Sequence, residues 1–323
     1  MSTTQKTRSE RTVAAKLKWL ATYKGQFVSA SDCQKNNIPI FPLDLENAKD
    51  NIPLYFAPLS ESFLAKYPVD GEYLASLEKR NPGSLDIGDY DVMIEKGKKD
   101  PDHLLWALPQ VLYRHMETVV RKNIPKGQGI FLSDLTSWAR ATNPEDPVAE
   151  AYTVDRFGFD DRRHAVDTIN YVKDNRYPHL TMITQYECPE VCPEGSLQLS
   201  ELVYILKAME FRLAEGLFDR KQPQPVLMVS FMVPRHGRIL QAHVHGGTRL
   251  VIACSKLYSF KNTEVAPFEL FYRWFLGTPI GVEPREMPVT DGSENLGDGV
   301  NAPNFDEDLC TATETKKGKK RKR

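Results

Sequence analysis

Two cysteines and two histidines are the residues best spaced to hold a metal. The stretch "CPEVC" gives Cys188 and Cys192 a C-x3-C spacing, and "HVH" puts His243 and His245 at alternate positions. On a strand, residues at i and i+2 share one face. Zinc takes two thiolates and two imidazoles tetrahedrally, with short gaps between paired ligands. The plainer reading is two reduced thiols in a Pro-rich loop beside a pair of sheet histidines. Cys188, Cys192 and Cys254 are also candidate nucleophiles, with His243 or His236 as base. No G-x-S-x-G accompanies them, and Cys254 lies in the apolar run "VIACS", where a thiol behaves as a small hydrophobe. Phosphate-cradling signatures of the G-x-x-x-x-G-K-[ST] or G-x-G-x-x-G type are missing, which disfavours nucleotide hydrolysis and dinucleotide redox chemistry.

Cations form the second group. Arg235 and Arg238 in "PRHGR", with Arg249 and Lys256, are expected near one hairpin edge, where they could touch phosphates. The competing reading is a charged strand edge that blocks unwanted pairing. The chain ends in "KKGKKRKR", built from Lys316, Lys317, Lys319, Lys320, Arg321, Lys322 and Arg323 around one glycine. Such a run repels itself, stays extended, and is typical of nuclear localisation or nucleic-acid contact. A nuclear chain is expected (otherwise a cytoplasmic one), with a nuclear import receptor on the tail and nucleic acid or another nuclear protein as further partner. Phosphate attraction adds affinity without sequence choice.

Charge is unevenly placed along the 323 residues, whose net charge is −1. Residues 1–24 carry six cations against Glu10, residues 283–309 carry eight acids against Arg285, and residues 310–323 carry seven cations against Glu314. The body between is mildly acidic. Apolar residues at 41% and aromatics at 10% are enough for a packed core and argue against disorder in the body. No apolar run approaches the ~18 residues of a membrane span, and the polar start does not read as a secretory signal. Five cysteines, an odd number scattered over the length, point to a reducing compartment.

The elements that must position these groups follow from periodicity. Val13, Leu17, Leu20 and Ala21 predict a helix over 9–24 ended by Gly25, then a second capped by Ser31 or Asp32, then a third in "LDLENAKDN". Residues 38–102 read as an irregular wrap with few long elements. A helix starts near Pro109. "DRRHAVDTINYVKDNRY" mixes signs densely enough to read as a solvated helix face. "HLTMITQYE" reads as a strand. The strongest helix is "SELVYILKAMEFRLAEGL", capped by Ser200 and ended by Gly216. Three strands follow, "PVLMVSFM", "RILQAHVH" and "TRLVIACSKLYSF", with "GG" turning the second into the third. "PFELFYRWFLG" closes the module as a helix.

These elements make an α+β chain. Residues 1–141 form a helical and irregular N-terminal region, 142–163 a linker or seam, 164–282 a helix–three-strand meander–helix module with helices on one sheet face, and 283–323 a disordered acidic-then-basic tail. Over about 80 residues that element order resembles the core of the restriction-endonuclease-like (PD-(D/E)XK) nucleases. The resemblance implies Mg²⁺ held by an acid on the second strand and a Glu-x-Lys on the third. Here the second strand offers Gln241 and the third reads Cys254-Ser255-Lys256, so only Lys256 fits, with Glu210 and Glu215 as candidate helix acids. No cofactor is predicted, Zn or Mg being the two to test. The expected function is nuclear macromolecule binding without a recognisable active site. The alternatives are a nucleic-acid enzyme with that divergent core, and a small-molecule enzyme with a pocket between the two halves.

Overall fold

The structure is a computed structural model that describes residues 5–47, 55–97, 105–141, 164–186, 190 and 192–285. The chain is α+β. Eight strands make its central sheet: β2 (Ile40–Pro42), β4 (Trp138–Arg140), β5 (His164–Val172), β6 (Leu180–Tyr186), β8 (Val226–Met232), β9 (His236–His245), β10 (Arg249–Cys254) and β11 (Tyr258–Ser259). Their order is β2–β10–β9–β8–β6–β5–β4, with β11 paired to β9. Two small ribbons complete the strands among the described residues: β1 (Phe27–Val28) with β7 (Leu197–Gln198), and β3 (Phe56–Ala57) with β12 (Thr278–Pro279). The meander β8–β9–β10 is antiparallel, and Gly246 and Gly247 turn β9 into β10 with φ of 57° and 73°.

Strands β6 and β8 run parallel, joined by the long helix Leu199–Glu215. Every residue of β8 is buried, as in a strand covered on both faces. Its side chains divide by parity. Val226 and Met228 enter a core with Leu240, Ala242 and the helix residues Leu202, Ile205, Leu206 and Met209. Leu227, Val229 and Phe231 enter a second core with Ile239, Phe271, Trp274 and Phe275. Helices therefore cover both sheet faces rather than one, because a strand apolar at every position but Ser230 leaves no face for water.

In chain order the helices are α1 (Arg8–Leu20), α2 (Ala30–Lys35), α3 (Glu61–Lys66), α4 (Gly71–Arg80), α5 (Tyr90–Glu95), α6 (Ala107–Glu117), α7 (Leu199–Glu215) and α8 (Phe268–Phe275). Helix α1 starts one residue before the predicted span and ends four before it, with Thr7 and Glu10 in a reciprocal capping box. Ser29 caps α2, not Ser31 or Asp32. Residues 43–47 of the predicted third helix are not helical, and 48–51 lie outside the described residues. The irregular wrap contains α3, α4 and α5, each opened by a side-chain cap from Ser60, Asp70 or Asp89. The mixed-charge stretch after residue 163 is strand β5, not a helix face. Gln198 rather than Ser200 caps α7, and Gly216 ends it at φ 71°.

Candidate nucleic-acid interface

Helix α1 is sorted by its own periodicity. Ser9, Val13, Lys16 and Leu20 are buried, and Val13 and Leu20 join the α7 core. The opposite line carries Arg8, Arg11 and Lys18, all exposed. That line runs about 15 Å at 1.5 Å per residue. Lys6 and Lys24, on either side, are exposed too. Lys16 is the exception among the N-terminal cations, because its buried ammonium donates to the Asn36 and Asn37 carbonyls at the end of α2. The one acid of this segment, Glu10, is turned back. Its carboxylate accepts from the Thr7 amide at 2.5 Å and pairs with Arg220 at 3.4 Å. Burial would raise the Glu10 pKa, but those hydrogen bonds and Arg220 hold it below its ordinary value.

The β9–β10 turn docks against this helix. Thr12 Oγ1 donates to the Gly247 carbonyl at 2.7 Å, and Asn37 Nδ2 donates to the Thr248 carbonyl at 3.1 Å. A Cβ on residue 247 would lie 2.9 Å from the Arg8 Cβ, so this approach needs glycine. Exposed Arg249 and exposed His245 flank the turn. Leu250 and Val244 enter the α1–α7 core, so their strand neighbours Arg249 and His245 face the other side of the sheet. The exposed cationic line beside the turn is therefore that of Lys6, Arg8, Arg11 and Lys18. The basic N-terminus was visible in the sequence, and its docking on the hairpin turn was not.

The other predicted cations have different fates. Arg235 is 1% exposed, and its Nη1 donates to the Gly88 carbonyl at 2.8 Å. Arg238 is 5% exposed and grips Glu201 of α7 through Nε at 2.8 Å and through Nη2. Burial opposes its charge, yet the Glu201 carboxylate holds the Arg238 pKa above the ordinary value. Both side chains are structural, so the expectation that they face phosphates gives way to buried pairing. Lys256 pairs with Glu46 at 3.1 Å. Arg249 sits opposite His245, whereas Cys254, two residues before Lys256, sits opposite Leu240 at the middle of β9. The four do not form one cluster.

The metal and nuclease candidates are also dispersed. Cys188 lies outside the described residues. The Cys192 thiol lies 3.6 Å from Arg238 Nη2, on the α7 side of β9. His243, five residues along, points to the other face, where its ring lies 4.6 Å from that of Tyr55 and 6.0 Å from His245. Burial pushes the thiols of Cys192 and Cys254 up to about 11, away from a nucleophile's range. His236 and His243 are at opposite ends of β9, roughly 24 Å apart at 3.4 Å per residue. Glu210 pairs with Lys207 at 2.8 Å, and Glu215 with Arg212 at 2.7 Å, while Lys256 stays with Glu46. Gln241, where the nuclease core needs an acid, accepts the Tyr55 and Phe56 amides at 2.9 and 3.2 Å. It anchors strand β3. Among the described residues, no three His, Cys, Asp or Glu side chains gather closely enough to hold a metal ion. No described helix is long and apolar enough to cross a membrane. The basic tail lies outside the described residues.

No family model, curated protein or solved structure matches the chain.

Proposed function

We propose that this is a nuclear protein that binds nucleic acid along its phosphate backbone, through the face made by α1 and the β9–β10 turn. The observation that carries the reading is the exposed line of Arg8, Arg11 and Lys18 on α1, a helix fixed to the body by its buried face and by the Thr12–Gly247 hydrogen bond. These cations are exposed, and the acid on the same helix, Glu10, is already engaged. Contact of this type is independent of sequence and strongly dependent on salt, since each neutralised phosphate releases counterions. The cationic residues 316–323 would bring the protein to the nucleus by engaging an import receptor.

Fluorescence anisotropy with a labelled 20-base-pair duplex over a salt series tests the binding. In the triple variant Arg8→Glu, Arg11→Glu, Lys18→Glu, the slope of log K against log salt should shrink by about 2–3, at ~0.9 for each phosphate no longer neutralised. An unchanged slope with a folded variant refutes the interface. A fluorescent fusion lacking 316–323 should lose its nuclear enrichment, and retention of that enrichment refutes the role of the tail.

A further inference from the structure

We infer that a second site, on the sheet face opposite α1, stacks an unpaired nucleobase. Helix α6 buries Leu108, Val111, Leu112 and Met116 in the core. Its outward line, at helical spacing, carries Trp106, Gln110 and Tyr113. Trp106 is 56% exposed, an unusual place for the most costly side chain to leave in water. One turn on, Gln110 Nε2 donates to Asp167 Oδ1 at 3.1 Å. Asp167 stands where the β5–β6 register shifts between Val166 and Thr168, a bulge that turns its carboxylate toward α6. Its other oxygen accepts from Thr168 Oγ1 at 3.0 Å. Beside this, the Arg140 guanidinium lies 4.4 Å from the Tyr113 ring centroid.

The chemistry of the strip is specific. The indole supplies a flat apolar face. Asp167 and the amide oxygen of Gln110 supply acceptors, since each carboxylate oxygen takes more than the one bond it has here. Arg140 supplies a cation. A planar ring bearing an exocyclic amine, with a phosphate nearby, satisfies all three. Asp accepting from the amine of cytosine is a standard pairing. Bases in a duplex are stacked on each other, so the ligand is single-stranded. The strip is separate from the α1 face and is tested separately.

The test uses the full chain and three 20-mers of equal charge: oligo-dC, oligo-dT and an abasic strand. Wild type should bind oligo-dC more tightly than oligo-dT, and oligo-dT more tightly than the abasic strand. Trp106→Ala should weaken oligo-dC about 5- to 150-fold and leave the abasic strand unaffected. Gln110→Ala should narrow the gap between oligo-dC and oligo-dT. Trp106 is exposed, so its variant should melt as wild type does. Equal binding of oligo-dC and the abasic strand, or an unchanged Trp106→Ala, overturns the inference. Selective loss with a sugar in place of the oligonucleotide would overturn it in favour of a carbohydrate. The charge-reversed α1 variant weakens all three strands equally if the phosphate reading holds, so the two ideas fail independently.

Discussion

Replacing Glu201 by glutamine should be among the most damaging single changes in the body of the protein. Arg238 is 5% exposed and donates two charge-assisted bonds to the Glu201 carboxylate. Its third group, Nη1, donates to the Ser196 carbonyl at 3.0 Å, a neutral acceptor that cannot take over the carboxylate's role. Glutamine keeps the volume and can still accept from the Gln198 amide at the start of α7, so the helix cap survives. What disappears is the compensating charge. Leaving one member of a buried pair unpaired costs about 3–5 kcal/mol. With a urea m-value near 3 kcal/mol/M, the unfolding midpoint should fall by about 1–1.7 M. Urea titration followed by tryptophan fluorescence measures this. The companion variant Glu201→Gln, Arg238→Met removes both charges and should recover much of the stability, since well-packed apolar replacements of buried pairs are often neutral. A fall below about 1 kcal/mol in the single variant, or a double variant as unstable as the single one, would refute the reasoning.

Two further outcomes follow from the packing. Burial pushes His179 and His243 down to about 4 from 6.5. Between those values the unfolded chain takes up protons that the folded chain refuses, so stability should drop as pH falls from 6.5 toward 4, by up to ~3 kcal/mol per ring. Chemical denaturation across that range measures the slope, and His243→Gln should flatten it. Gly277→Ala should cost about 1–3 kcal/mol, because its Cβ would meet the Ala57 and Trp274 carbonyl oxygens at 2.6 and 2.9 Å. Gly71→Ala, with nothing within 4 Å, is the matched control and should be neutral in the same melt.

Strong local signals made part of this fold legible. Helix α7, strand β8 and the β9–β10 hairpin are dense in apolar residues, and left-handed glycines close the helix and the hairpin, so neighbours in sequence decide them. Strand β5 is hard to see in the sequence because charges on either side, among them Arg162, Arg163 and Lys173, mask Val166, Thr168, Ile169 and Val172, whose branched side chains fit a pleated sheet. The caps Ser60, Asp70 and Asp89 were present as signals for the short helices, but the surrounding Pro and Gly hid them. The parallel pairing of β6 with β8 had no local mark at all. The same holds for the site. Arginines in "PRHGR" look alike in sequence, and only the arrival of Glu201 from α7 separates a buried cation from a surface one. Arg8 and the Gly247 turn are brought together by a hydrogen bond between residues 12 and 247, which no window along the chain contains.

The three shortest pairings of the N-terminal region have a bearing on how the protein is made. Strand β1 waits for Leu197, β2 for β10, and β3 for β12. Ile40 meets Ile252, so that edge stays open while about 210 more residues are synthesised. At 5–20 residues per second the delay is roughly 10–40 s. During it, Phe27, Ile40 and Phe56 have no native strand to join. In a nascent chain of this design these three short strands are among the last elements to settle.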